Sequence, residues 1–452
     1  LQNKAMRWIE RLFFGALIAS AAGSALAWSQ HALGAWQALH AMPEVRAEPP
    51  VKVESLAKFL KDQGPALEGL LQHEEQWARG HVRNYPARPE ILAYRHDKDA
   101  DATELRQRFL TALRVNPNIP LSLYLQLQPT PAALAENQRP AIAGQDITLV
   151  KDAVSSHQKF VSLRDGDMVS VLDVIASAVD EPDYGLDIGL WEDNDTEFGR
   201  IYGFGKQPFG NPKLSFGSQA PFHMGFFHES PIIYAAAGFL RRTYPEYRMH
   251  LWQTLARHAL LSGHTYWGWR FAGWAMHYAQ DLTQPYHASV LPGTSVPGML
   301  WINALDMAGA SKAKHNAVTF VSNRHLVMEN FHQHSLLVPL EKGELDHPNL
   351  TAFAQIAKDK ERMVLTEFGL RDVVTKRSYS VADEIDDLLV KTFPATYVSD
   401  SQFDVGANGQ HINFYSLMSQ HNPAARDVLD RRLRDLSGDF GSVTRAVWRR
   451  LR

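Results

Sequence analysis

His277, Asp281 and His287, in the run His277-Tyr278-Ala279-Gln280-Asp281-Leu282-Thr283-Gln284-Pro285-Tyr286-His287, bring two imidazoles and a carboxylate into one short segment. On a helix over about 250 to 283, His277 and Asp281 lie one turn apart on the same face. Pro285 would then end the helix so that His287 turns back toward them. Nitrogen and carboxylate donors at this spacing suit Zn²⁺. His325-Leu326-Val327-Met328-Glu329 repeats the imidazole-carboxylate pairing one turn apart. A single pair of this kind also supports an ordinary exposed helix, and 20 histidines would supply some by chance. The amino terminus adds an independent signal.

Lys4, Arg7 and Arg11 precede the apolar run Leu12 to Ala27, which closes with Ala25-Leu26-Ala27. This order predicts a secretory signal peptide over residues 1–27, with cleavage leaving Trp28 as the first mature residue. The run is short for a permanent membrane span. A secreted or periplasmic protein is the expectation.

A mature chain opening Trp28-Ser29, with a nearby His, then His-x3-Asp-x5-His and His-x3-Glu, resembles the bacterial zinc-dependent phospholipase C family. That family is related to the fungal and plant zinc-dependent single-strand nucleases. The resemblance implies three zinc ions, one of them held by the free amine and carbonyl of Trp28. It further implies that Asp281 bridges two ions, that His277 serves one of that pair, and that His287, His325 and Glu329 hold the remaining ion. An early His should join Trp28, either His31 or the more distant His40. An Asp and a His are expected upstream of His277. Asp183 or Asp180 would supply the carboxylate, and His223 or His228 the imidazole. Asp183 and Asp281 are the expected catalytic carboxylates. The implied reaction is hydrolysis of the glycerol-phosphate ester of a phospholipid such as phosphatidylcholine, at a membrane or micelle surface. The alternatives are a zinc-dependent single-strand nuclease and a secreted helical protein with zinc in a structural role only. Glu329, where the nucleases tend to carry Asp, favours the lipase.

The interval between His287 and His325 is longer than that family's short loop and carries Val290-Leu291-Pro292-Gly293 and Gly298-Met299-Leu300-Trp301-Ile302-Asn303. A buried loop or short helix is the first expectation for it, and a lipid-facing flap the functional one.

Composition narrows the field. Without residues 1–27 the chain carries 43 Lys+Arg against 48 Asp+Glu, a balance of about −5 that gives no sign of a polyanion binder, so no stable nucleic-acid partner is expected. With no cysteine, disulfides and thiolate ligands are excluded, leaving His, Asp, Glu and a terminal amine to bind metal.

The elements that must position these groups are helices. Apolar residues recur at three- and four-residue spacing over 54–78, 102–114, 149–158, 231–283, 316–335, 352–368, 380–392 and 423–450, and period-two runs are scarce. The expectation is an all-α fold with a core like that of the zinc phospholipases and single-strand nucleases, enlarged by a mainly helical lobe. The division expected is 28–40 as a ligand-bearing start, 41–147 as the inserted region, 148–340 as the zinc core and 341–452 as a helical tail. The proline-rich stretch 115–147 reads as a connector, partly extended. The stripe Trp267, Trp269 and Trp274 reads as core.

Overall fold

Most of the apolar spacing is realised as helix, although the described start of the expected helix 352–368 forms two 3₁₀ turns, Ala352–Ala354 and Ile356–Lys358, before the single turn Asp359–Arg362. In the computed structural model 64% of residues are helical and 3% are in strands, so the fold is mainly α. The structure describes residues 28–129, 138–150, 157–210, 216–362, 369–409 and 411–452. The expected signal peptide and much of the expected helix 149–158 lie outside these residues, as does the end of the expected helix 352–368.

The elements used below are, in chain order, α1 (His31–His40), β1 (Val51–Lys52), α2 (Leu56–His81), α3 (Ala102–Leu113), β2 (Tyr124–Leu127), β3 (Lys159–Ser162), β4 (Met168–Val169), α4 (Val171–Ala178), α5 (Ala220–His223) and α6 (Pro231–Ala236). They continue as α7 (Pro245–Leu261), α8 (Thr265–Asp281), α9 (Pro285–Ala288), α10 (Val296–Met307), α11 (Lys312–Glu341), α12 (Lys376–Thr392), α13 (Phe414–His421) and α14 (Pro423–Leu451). A 3₁₀ turn, Glu181–Tyr184, follows α4.

The long helix expected over 231–283 is divided. Pro245 opens α7, and Gly263, with φ of +87°, stops it in the left-handed conformation that glycine adopts freely. The extended part of the 115–147 connector is β2, paired antiparallel with β3, and a second short pair joins β1 to β4.

α8 is the axis of the fold. Every residue from Tyr266 to Asp281 is buried, the polar Arg270, His277, Gln280 and Asp281 among them. It packs against α7, α4 and α14. Trp267, Trp269 and Trp274 are core residues. Residues 41–147, the expected added lobe, share one apolar cluster with this axis, in which Phe59 stacks on Trp267 at 6.3 Å between ring centroids and meets Phe271 edge-on at 5.7 Å. A second cluster gathers Trp28, Leu33, Met328, Phe331, Phe414 and Phe440 around α11 and the C-terminal helices. α1 lies between the two cores, giving Ala32, Ala35 and Leu39 to the first and Leu33 and Ala38 to the second.

Two buried ion pairs fasten this frame from inside. Arg270 of α8 binds Glu181 of the 3₁₀ turn, and Arg445 of α14 binds Asp359 while donating to the Phe353 carbonyl. Removing one partner of such a pair leaves a buried charge without compensation, a loss of about 3–5 kcal/mol.

Candidate metal centre

α8 ends at Asp281, so His277 and Asp281 occupy one face of its last turn. Pro285 then opens the single-turn α9 as its first helical residue, with Gln284 as its side-chain cap, and α9 carries His287. The chain does turn back. His287 Nδ1 donates to the His223 carbonyl at 3.0 Å, and the Gly225 N–H donates to the His287 carbonyl at 2.8 Å. α11 brings His325 and Glu329 to the same place, with the His325 ring 5.2 Å from that of His287.

Three groups of donors can each hold a metal ion: His31 with His277 and Asp281, Asp183 with His223 and His277, and His287 with His325 and Glu329. In each, the donor atoms lie within 4.8 Å of one another and every residue is buried. Asp281 links the first two. Its Oδ1 is 3.2 Å from His31 Nε2, while Oδ2 is 2.7 Å from His223 Nδ1 and 3.2 Å from His277 Nε2. Asp183 Oδ1 lies 3.8 Å from both His223 Nδ1 and His277 Nε2. In the third group His325 Nε2 is 2.7 Å from Glu329 Oε1.

Three of these atoms are buried without a well-directed hydrogen bond: His31 Nε2, Asp281 Oδ1 and His325 Nε2. Buried polar atoms are rarely left so, and a cation among them would satisfy the lone pairs that no proton donor reaches. The electrostatics agree. Burial presses His31 and His223 down, but the carboxylates around them outweigh it, Asp281 and Asp183 for both with Asp187 added at His223, and the two are lifted to about 9 and about 10. That pocket calls for positive charge. Burial opposes charge on Asp281 as well, yet the imidazoles of His277, His223 and His31 hold its carboxyl well below the usual range. Around the third group burial dominates, lowering His287 to about 3 and His325 to about 4 and pushing the Glu329 carboxyl well up. Neutral imidazoles are the form that binds metal.

Trp28 stands beside this centre, buried, its indole Nε1–H donating to Thr283 Oγ1 at 2.9 Å. Of the paired alternatives, the geometry selects one in each case. His31 is in the first group, whereas His40 is exposed at the far end of α1 and stacks on Trp36 at 4.3 Å. His223 is in the second group, whereas His228, expected as a ligand too, is half-buried and bonds through Nε2 to the Arg371 carbonyl. The reason is the turn after α5, which carries residues 224–228 away toward the segment following residue 369. Asp183 is in the second group, whereas Asp180 is used structurally, accepting from the Ala32 N–H at the start of α1 and from Gln126 Nε2.

A surrounding layer of partners was not anticipated from the sequence. His223 Nε2 faces Asp187 Oδ2 at 3.4 Å, and Asp187 is held by Arg248 and by the Tyr278 hydroxyl. Its carboxyl is kept low because Arg248 and His223 outweigh the effect of burial. Gln219 donates to Asp183, Gln284 donates to Glu329, Gln280 lies 2.8 Å from His31 Nδ1, and His277 Nδ1 donates to the Val179 carbonyl. The signals were present but generic: Asp187 follows Asp183 by four residues, and two of the glutamines sit inside the His277–His287 run. Among the described residues, no helix is long and apolar enough to cross a membrane.

No family model matches this chain, and neither the curated proteins nor the solved structures contain a match to it.

Proposed function

We propose that the protein is an exported zinc-dependent phospholipase C, akin to the bacterial zinc phospholipases, hydrolysing the glycerol-phosphate ester of phospholipids such as phosphatidylcholine to a diacylglycerol and a phosphorylated headgroup. The observation that carries this reading is the placement of Asp281, whose two oxygens face two different imidazole groups beside a third group made by His287, His325 and Glu329. A lone structural ion needs one closed set of four ligands. Three adjoining groups, the first two joined at Asp281, suit instead a cluster of about three ions with positions left for a substrate phosphate.

Zinc held there would supply Lewis acidity toward phosphate oxygens and lower the pKa of water toward about 7. The chain's own groups do the rest. Asp281 would hold two ligand groups in register, and Asp183, whose carboxylate accepts from Gln219 Nε2, would take a proton from an attacking water. Asp187 sets the His223 ring so that Nδ1 points inward. Trp28, buried at the edge of the centre, would add its amine and carbonyl to the His31 group once the residues before it are removed.

The deciding experiment loads the purified protein with zinc and measures phosphocholine released from phosphatidylcholine and nucleotides released from single-stranded DNA in the same preparation. Phosphocholine release abolished by chelator is the expected result. Nucleotide release alone would install the nuclease reading, and zinc binding with neither product would leave zinc a structural role.

A further inference from the structure

α10 has no buried residue, although it reads Val-Pro-Gly-Met-Leu-Trp-Ile-Asn-Ala-Leu-Asp-Met. Its solvent side falls on Pro297, Trp301, Ala304 and Met307, a stripe at helical spacing without a polar side chain. Trp301 is 65% exposed and Met307 47%. This inverts the usual amphipathic arrangement, in which the outward face is polar. The helix touches α6, which repeats the pattern: Ile233 and Tyr234 are buried, while Ile232 and Ala235 face outward, Ile232 at 57% exposure. Beneath both helices a small separate apolar cluster, including Phe209, Phe226 and Leu240, takes the sides of Val296, Met299 and Leu300. The outward faces are therefore carried on a packed base.

We propose that the outward faces of α6 and α10 form a docking surface for the apolar layer of a phosphatidylcholine membrane. The inference rests on the phospholipase reading and names the surface through which that enzyme would meet its aggregated substrate. The charges around the patch fit a phosphate-bearing lipid surface. The one carboxylate of α10, Asp306, is neutralised by Lys314 at 2.7 Å. The carboxylates of Glu229 and Asp383 at the base of the loop accept the N–H groups of Val290 and Gly293. Exposed cations stand at the rim, Lys312 after α10 and Arg241 after α6, the latter over the Tyr234 ring at 4.4 Å. Apolar side chains backed by a cationic rim and a tryptophan suit the boundary between headgroups and acyl chains. The patch is also continuous with the metal centre in the chain: Ser289 and Val290 directly follow α9 with His287, and α10 leads into α11 with His325 and Glu329.

The test compares the zinc-loaded parent with the triple variant Ile232→Ser, Trp301→Ser, Met307→Ser, and with Trp301→Ser alone should the triple variant fold poorly. Co-sedimentation with phosphatidylcholine vesicles is expected to fall at least about tenfold in the triple variant, since each large apolar side chain removed from water is worth about that factor. Zinc content and cleavage of a soluble short-chain phosphatidylcholine should not change, because no ligand is touched. Undiminished vesicle binding by the variants overturns the proposal. So does a parent protein that sediments as a dimer and becomes a monomer in the variant, which would make the patch a contact between copies. A parent that binds vesicles through this patch but leaves the short-chain lipid intact would remove the phospholipase reading while upholding the surface.

Discussion

Asp281 is the residue on which the centre depends, because its two oxygens face separate imidazole groups. Replacing it with Asn keeps the shape but removes the charge from both, so Asp281→Asn should bind at least one metal ion fewer per chain by elemental analysis and lose lipid hydrolysis. His228→Ala, five residues from the ligand His223, should keep its full metal content, since that ring bonds the Arg371 carbonyl. Asp187→Asn should lie between, weakening metal affinity about 10- to 100-fold through the His223 ring it orients. The metal-free protein should also show opposing pH responses. His287, His325 and His332 are depressed by burial to about 3, 4 and 3, so they stay neutral in the fold while the unfolded chain takes up protons; stability falls as pH drops from about 6.5 toward 3. His31 and His223 are raised, so their contribution is full below about 6.5 and fades as pH climbs toward 9 to 10. Thermal melts of the chelated protein should therefore peak near neutrality, and a melting temperature that rises steadily toward pH 4 would contradict this assignment. Residue types and spacing made His277, Asp281, His287, His325 and Glu329 legible before any fold was known. The choice between His223 and His228 was not, because it depends on which way one turn directs the chain.

At the scale of elements, the centre exists because α4 and α8 approach closely enough for the Val179 carbonyl to meet His277 Nδ1. Gly273, one turn before His277, permits this: a Cβ there would lie 2.7 Å from the Ala178 Cβ and 2.9 Å from the Ile175 carbonyl oxygen. Gly273→Val should force the helices apart, destabilising the protein by about 1–3 kcal/mol in chemical denaturation and weakening metal binding although no ligand changes. A variant with unaltered stability and metal affinity would show that the approach is not what sets His277. Periodicity alone gave the existence of most helices, including α2, α11 and α14. It ran α6, α7 and α8 together, because apolar spacing continues across Pro245 and Gly263 and the breaks are set by backbone geometry that pattern does not weigh. It also missed the pairing of β2 with β3, a contact between a proline-rich stretch and a segment some 30 residues further along the chain.

For the whole molecule, the position of Trp28 ties the chemistry to the history of the chain. Trp28 is wedged between the metal-bearing segment and the second core, its indole bonded to Thr283 and its ring 4.5 Å from His332. Three residues later His31 enters the first ligand group. On the proposed reading, cleavage before Trp28 creates the amine that completes this group, so the metal count should depend on processing rather than on folding. A chain beginning at Trp28 should bind one zinc ion more than the same chain preceded by a single Met, while both unfold at nearly the same temperature when chelated. Because an α-amino group has a pKa of about 7.7–8.0 and must lose its proton to bind, the extra ion should be the one released first as pH falls below neutrality. Hydrolysis of phosphatidylcholine should follow that ion, higher in the processed chain and falling with its release. Equal zinc content in the two forms would show that Trp28 serves only as a core residue, and the first group would then be complete with His31, His277 and Asp281 alone.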